Sequence, residues 1–230
     1  MTQDEAKALV GKRAAELVEA GMRVGLGTGS TSVAFIKALG ERVKAGLKIR
    51  CVASSDASEA LGLSLGVTVV SLAELPELDV YIDGADEVTR SPGLGLALIK
   101  GGGGALLREK IVASAAKKFI VVVDQSKVVD FLGNFPLPVE VIKMALPVVE
   151  PKLVALGLHP QQRKAKDGNG PYLTDEGNYI LDCACGKIVD PVRTAAEIRA
   201  IVGVVEHGLF LNMARLALVA GDDGVKELLP

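Results

Sequence analysis

Four short tracts hold the residues able to do chemistry. Residues 25–31 read Gly-Leu-Gly-Thr-Gly-Ser-Thr, 83–87 read Asp-Gly-Ala-Asp-Glu, 100–110 read Lys-Gly-Gly-Gly-Gly-Ala-Leu-Leu-Arg-Glu-Lys, and 121–127 read Val-Val-Val-Asp-Gln-Ser-Lys. In the first, glycines between a strand and a helix let an anion approach the backbone. The helix N-terminus supplies unpaired amides and the positive end of its dipole, and Ser30 and Thr31 add hydroxyl donors. That is a phosphate cradle, although turning glycines with Ser30 or Thr31 as a plain helix cap is a competing reading. A dinucleotide site fits less well, because Ser30 stands where a third glycine belongs and the second strand ends in Arg50, Cys51 and Val52 instead of an acid. A P-loop is excluded, since no Lys-Ser or Lys-Thr follows the glycines.

Carboxylates at the carboxyl end of a parallel strand face the crevice where open α/β sheets bind ligands, which places Asp83 and Asp86 there. Their crowding raises at least one pKa and suits groups that exchange protons or hold sugar hydroxyls. A simple turn with Asp86 capping a helix is the alternative, and a magnesium site ranks below both. In the third tract, four consecutive glycines are entropically expensive and call for backbone amides close to a ligand, with Lys100 at the mouth. Glu109 falls in the first turns of the following helix and can point back toward the crevice, unless Arg108, Glu109 and Lys110 form a solvated face. Lys127 closes the fourth tract.

These tracts need a scaffold, and the 230 residues have the composition for one. Hydrophobic residues make up 49 % and charged ones 23 %, the balance of a globular protein. Apolar runs such as 119–123 are too short to cross a bilayer and no signal peptide is apparent, so a cytoplasmic chain is expected. Cys51, Cys183 and Cys185 do not have zinc-site spacing, and His159 and His207 are too few for a histidine-based site. A net charge of −2, with five phenylalanines, three tyrosines and no tryptophan, argues against nucleic acid.

Helical periodicity over 6–18 follows Thr2, a candidate N-cap, and returns over 31–44, 58–65 and 105–116. Strands are predicted at 23–27, 48–53, 67–70, 78–82 and 119–123. The alternation implies a Rossmann-like, mostly parallel sheet with helices on both faces, and each of the four tracts would follow a strand of that sheet. From residue 130 the texture changes: strands at 139–143, 179–183 and 204–210 and helices at 148–156 and 191–201 give the order of a smaller ferredoxin-like split βαβ unit. A strand at 214–220 and a short terminal helix rejoin the first sheet. The expected division is an α/β catalytic domain of 1–129 and 209–230 with an inserted α+β domain of 130–208.

With these motifs in place, the sequence resembles the ribose-5-phosphate isomerases of the A type over essentially its whole length, including Ser54-Ser-Asp-Ala-Ser58 and Phe135-Pro-Leu-Pro-Val-Glu-Val141. Where the family often has Ala-Asp-Ala-Ser-Lys, this chain has Asp124-Gln125 before Ser126-Lys127, keeping the lysine. The resemblance implies interconversion of ribose 5-phosphate and ribulose 5-phosphate in the pentose phosphate pathway, without metal or organic cofactor, by a homodimer or homotetramer. It implies substrate binding by Thr28, Gly29, Ser30, Thr31, Asp83, Gly84, Ala85, Asp86, Lys100, Gly101, Gly102, Gly103 and Lys127. Glu109 would be the base and Lys100 would stabilise an enediolate. Asp83, with Asp86, would hold hydroxyls and assist ring opening. Lys7 is a further candidate for the phosphate. Two other classes compete. A sugar-phosphate sensor of a transcription regulator would need a DNA-binding segment, for which no room is seen ahead of the first helix. A deaminase or lactonase would lean on histidines, and neither His159 nor His207 lies near the tracts.

Overall fold

The computed structural model describes residues 1–91 and 93–230. Helix α1 (Gln3–Glu16) begins where its sequence asks: Thr2 accepts from the Glu5 amide and the Glu5 carboxylate returns to the Thr2 amide, closing a capping box. There follow β1 (Arg23–Leu26), α2 (Ser30–Lys44), β2 (Arg50–Ala53), α3 (Asp56–Ser64), β3 (Leu78–Asp83), β4 (Glu87–Ser91), β5 (Gly95–Ile99), α4 (Leu106–Ser114) and β6 (Ala116–Asp124). Beyond these lie β7 (Leu137–Val141), α5 (Leu146–Ala155), β8 (His159–Gln162), β9 (Tyr179–Ala184), α6 (Pro191–Arg199), β10 (Val204–His207), β11 (Leu209–Leu211), β12 (Ala214–Gly221) and β13 (Gly224–Leu228).

Among the described residues the strands form three sheets. The largest has the order β13-β12-β6-β3-β1-β2, parallel except for β13. Its strands alternate between two cores, as the pleat requires. Ile120 and Val122 of β6 join Val10, Phe35 and Ile36 beneath α1 and α2, while Phe119, Val121 and Val123 join Tyr81, Val112 and Phe210 on the other face. The second sheet, β10-β7-β9-β8, is antiparallel and carries α5 and α6, the strand order of a ferredoxin-like unit. The third, β11-β5-β4, lies between them. Leu96 and Leu98 of β5 face the parallel sheet's core, whereas Ala97 and Ile99 face that of the second sheet. One strand is thus a wall of both.

Several local expectations are corrected. Residues 67–70 form no strand: a single bridge joins Val69 to Cys51 before a turn at Ser71 carries the chain away. The end of the chain is β13 and not a helix, because Asp222-Asp223-Gly224 makes a tight hairpin back onto β12. The 204–210 strand is two, β10 and β11 in different sheets, broken at Gly208, where a Cβ would lie 2.3 Å from the Lys100 carbonyl oxygen. The β4–β5 hairpin and β8 had no counterpart in the sequence pattern. The 100–110 tract therefore follows β5 of the small sheet, not a strand of the parallel one.

Gly11 shows how tightly α1 seats on α2: a Cβ there would lie 2.7 Å from the backbone carbon of Ala34 and nitrogen of Phe35. Alanine gains about 1 kcal/mol of helix propensity, but this clash is with backbone that has no rotamer to move into. Gly11→Ala is expected to lose about 1–3 kcal/mol net, read as a lower urea midpoint at unchanged slope.

Candidate active site

The parallel sheet reverses its strand order at β1, between β2 and β3, and the carboxyl ends there open a crevice. At its floor β1 and β3 meet at Gly27, where a Cβ would stand 2.1 Å from Asp83 Oδ1. Only a glycine leaves room for that carboxylate. Asp83 Oδ1 accepts from the Thr28 amide, the Ser32 hydroxyl and the Gly84 amide, each at 2.8 Å. Its Oδ2 accepts from the Tyr81 hydroxyl at 2.5 Å and lies 2.7 Å from Lys100 Nζ. Five donors saturate it and solvent does not reach it. Asp83, expected to hold substrate hydroxyls, therefore sits behind the cavity wall and grips Lys100 instead.

Lys100 enters from the end of β5, is 2 % exposed, and donates at 2.6 Å to the Gly84 carbonyl. Burial works against its charge, but Asp83 and Glu109 outweigh burial and hold its pKa above the ordinary range. Its ammonium stands 3.4 Å from Glu109 Oε2, an ion-pair distance without hydrogen-bond geometry, and that oxygen has no hydrogen-bond partner among the described residues. Glu109 is 3 % exposed. Burial pushes its carboxyl up to about 8; Lys100 draws it down, and Asp83 and Asp86 push it further up. With one cation between two carboxyl groups, Asp83 has the better geometry and Glu109 is left able to exchange its proton.

Lys100 and Glu109 border a cavity of about 160 Å³. Its wall brings together Thr28, Gly29, Ser30, Thr31, Gly84, Ala85, Asp86, Lys100, Gly101, Gly102, Gly103, Glu109 and Lys127 from the expected set, with Lys7 as well. Gly29 is the N-cap of α2 at φ +98°, no side chain caps the helix, and no acid occupies its first turn. The capping reading of Ser30 and Thr31 is thus not what forms, and the amides remain for a ligand. Asp86 accepts from the Gly102 amide at 2.8 Å, and burial raises its pKa. Glu87 turns away to pin the Gly133 and Phe135 amides at 2.7 and 2.6 Å, a structural task. The magnesium alternative lacks donors: Asp83 is saturated, an ammonium occupies its open side, and no group of three His, Cys, Asp or Glu among the described residues could hold a metal.

The sequence reading missed Gln3 and Asp124 on the wall and a cluster of hydroxyls behind it. Thr28 Oγ1 lies 2.9 Å from Ser54 and Ser55 and 3.3 Å from Ser58, and Ser58 donates to the Gly27 carbonyl at 2.6 Å. Three serines just past β2 were the available signal. Tyr81 was also legible, two residues before Asp83 and so on its face of β3. His207 is buried beside Lys110, its pKa depressed to about 3 by burial and the neighbouring ammonium, and its Nδ1 lies 3.3 Å from the Leu209 amide, outside the cavity wall.

A sequence model described as Ribose 5-phosphate isomerase A (phosphoriboisomerase A) matches residues 50–224. A Ribose-5-phosphate isomerase A of Sinorhizobium fredii is 49 % identical over 215 residues, 92 % of this chain and 91 % of that protein. The solved ribose 5-phosphate isomerase A of Methanocaldococcus jannaschii superposes with a TM-score of 0.94 at 40 % identity, over 100 % of both chains. A solved D-ribose-5-phosphate isomerase in complex with phospho-erythronic acid gives 0.95 at 38 %, also over 100 % of both.

The raised Glu109 pKa carries a sign for stability. Its unfolded value is near 4.5 and its folded value near 8, so the folded protein binds the proton more tightly and loses stability as pH rises between them. Glu109→Gln removes this slope. Its stability advantage over wild type should be smallest below pH 5, grow to roughly 4 kcal/mol by pH 8, and level off at about 5 kcal/mol above it, as read by chemical denaturation across pH.

Proposed function

The chain belongs to the ribose 5-phosphate isomerase A family, and on that premise we propose that it interconverts D-ribose 5-phosphate and D-ribulose 5-phosphate through an enediolate, with Glu109 as the proton carrier. One observation carries the assignment of Glu109: a buried carboxyl with an unpartnered oxygen lies 3.4 Å from a buried ammonium, on a cavity whose wall includes an uncapped helix N-terminus. The phosphate sits at the Ser30 and Thr31 amides, with Lys7 and Lys127 on the same wall. Held by atoms that do not react, the opened sugar places C1 and C2 against Glu109. Glu109 takes the proton from C2 and the released pair forms the C1–C2 double bond. Charge on the enediolate oxygens meets Lys100 and the glycine-loop amides. Glu109 then returns the proton to C1, the hydroxyl proton passes from O2 to O1, and the ketose results. A carboxyl near pKa 8 is a stronger base than an ordinary one and suits an acidic C–H.

The unit of residues 130–208 acts as an insertion that braces this site. The chain self-associates, a reading supported by Met144 and Val202, 91 % and 82 % exposed, which with Ile142 and Val148 form an apolar patch around the Ile142 amide's bond to Gly203. A cytoplasmic setting is supported by the free thiols of Cys51, Cys183 and Cys185, and no helix among the described residues is long and apolar enough to cross a membrane.

Wild-type kcat/KM for ribose 5-phosphate is expected to rise about tenfold per unit below pH 8 and to level off above it, steepening below about pH 6 where the substrate phosphate titrates. Glu109→Gln should abolish exchange of the C2 hydrogen with deuterated solvent; exchange at the wild-type rate removes Glu109 from this role. Sedimentation should give a multiple of the 23.9 kDa chain mass, and Val202→Glu should reduce it toward one chain.

A further inference from the structure

The loop of residues 101–104 is four glycines, with Gly101 and Gly104 at φ +104° and +88°. It has no side chains to anchor it and loses the most entropy on ordering, so its shape must be imposed from outside. Arg163, just beyond β8, reaches it from the second sheet. Its Nε and Nη2 fork onto Asp182 of β9 at 2.8 and 2.5 Å, leaving Nη1 to donate to the carbonyls of Gly101 at 3.0 Å and Gly102 at 3.2 Å.

A trans peptide is planar, so a carbonyl and the next amide N–H point in opposite directions. Drawing the Gly101 carbonyl to Arg163 sends the Gly102 N–H the other way, where Asp86 accepts it at 2.8 Å. Drawing the Gly102 carbonyl to Arg163 likewise turns the Gly103 N–H away from the guanidinium. Gly103 lies on the cavity wall, and its amide has no partner among the described residues. Tyr172 continues the pattern: its hydroxyl lies 3.4 Å from the Gly103 carbonyl, and the Gly104 amide bonds the Gly101 carbonyl at 2.9 Å. With the Gly102 amide held by Asp86 and the Gly104 amide by the Gly101 carbonyl, the Gly103 amide is the one these contacts leave for the substrate. Arg163 does not line the cavity itself.

Resting on the isomerase reading, we propose that Arg163, locked by Asp182, is a positioning residue that turns the Gly103 amide of the glycine loop toward the enediolate oxygens. A lysine is a point charge and cannot hold the Asp182 fork and two carbonyls together. Arg108 supplies a control: it ties α4 to Asp56, Asp175 and Glu176, a comparable tertiary link with no bond to the loop.

The test compares full-length wild type with Arg163→Met, Arg163→Lys, Asp182→Asn and Arg108→Met. It reads kcat and KM for ribose 5-phosphate, inhibition by phospho-erythronic acid, whose carboxylate mimics the charged intermediate, inhibition by inorganic phosphate, and hydrogen exchange at 101–104. Arg163→Met should lower kcat about 30- to 300-fold and weaken phospho-erythronic acid by a similar factor, with KM and phosphate inhibition within about threefold. Exchange at 101–104 should rise, Arg163→Lys should not rescue, and Arg108→Met should stay near wild type. A kcat within threefold of wild type, an equal loss in Arg108→Met, or an equal loss of phosphate affinity overturns the proposal. Should Arg163→Met not fold, Asp182→Asn decides: at least a fivefold loss of kcat at unchanged KM supports the proposal, and wild-type kcat overturns it. A wild type inert toward ribose 5-phosphate defeats the isomerase reading alone; exchange at 101–104 then decides whether Arg163 sets the loop, and unchanged exchange overturns that.

Discussion

A single buried cation between two buried carboxyl groups sets the terms for the rest of the structure. Lys100 cannot be left unpaired out of water, and neither can two carboxylates beside it. The arrangement resolves this unequally. Asp83 takes four hydrogen-bond donors and the short contact to the ammonium, while Glu109 keeps one oxygen without a hydrogen bond. Gly27 is small for Asp83's sake, Tyr81 turns its hydroxyl to the same carboxylate, and Ser32 gives up its side chain to it. The fold thus invests its polar contacts in one acid so that its neighbour stays reactive.

The three elements of the cavity arise by different means. The end of the cavity proposed for the phosphate is the start of α2, where the absence of a side-chain cap distinguishes it from α1 with its capping box and α3 with Ser55. The charge cluster is assembled from β3, β5 and α4, whose functional residues lie at the ends of elements while their apolar residues fix the direction. The glycine loop has no side chain of its own to anchor it, and polar groups of the second sheet and Asp86 hold its backbone.

Much of this could be read from the chain, because strand alternation and glycine placement are local. The parallel sheet, the ferredoxin-like strand order, the Thr2 cap and the gathering of Thr28, Asp86, Lys100, Glu109 and Lys127 in one place all follow from patterns a few residues long. What could not be read depends on long-range pairing. Residues 67–70 are as apolar as a strand but have one bridge to pair with, and 224–228 are drawn into a strand by the free edge of β12. Asp83 and Asp86 look equivalent in Asp-Gly-Ala-Asp; their different depths depend on Ser32 and Lys100 arriving from elsewhere. Arg163 carries no local mark, since its meaning lies in carbonyls some sixty residues away.

The alternation of β5 has a consequence for how the molecule comes apart. Leu96 and Leu98 belong to one core and Ala97 and Ile99 to the other, and the next residue is Lys100. Neither core can melt without stripping one side of this strand. The two sheets are therefore coupled through this strand, and opening either side of it loosens the Lys100 ammonium from its carboxylates. The packing of both cores and the placing of the ammonium thus rest on the same short stretch of chain.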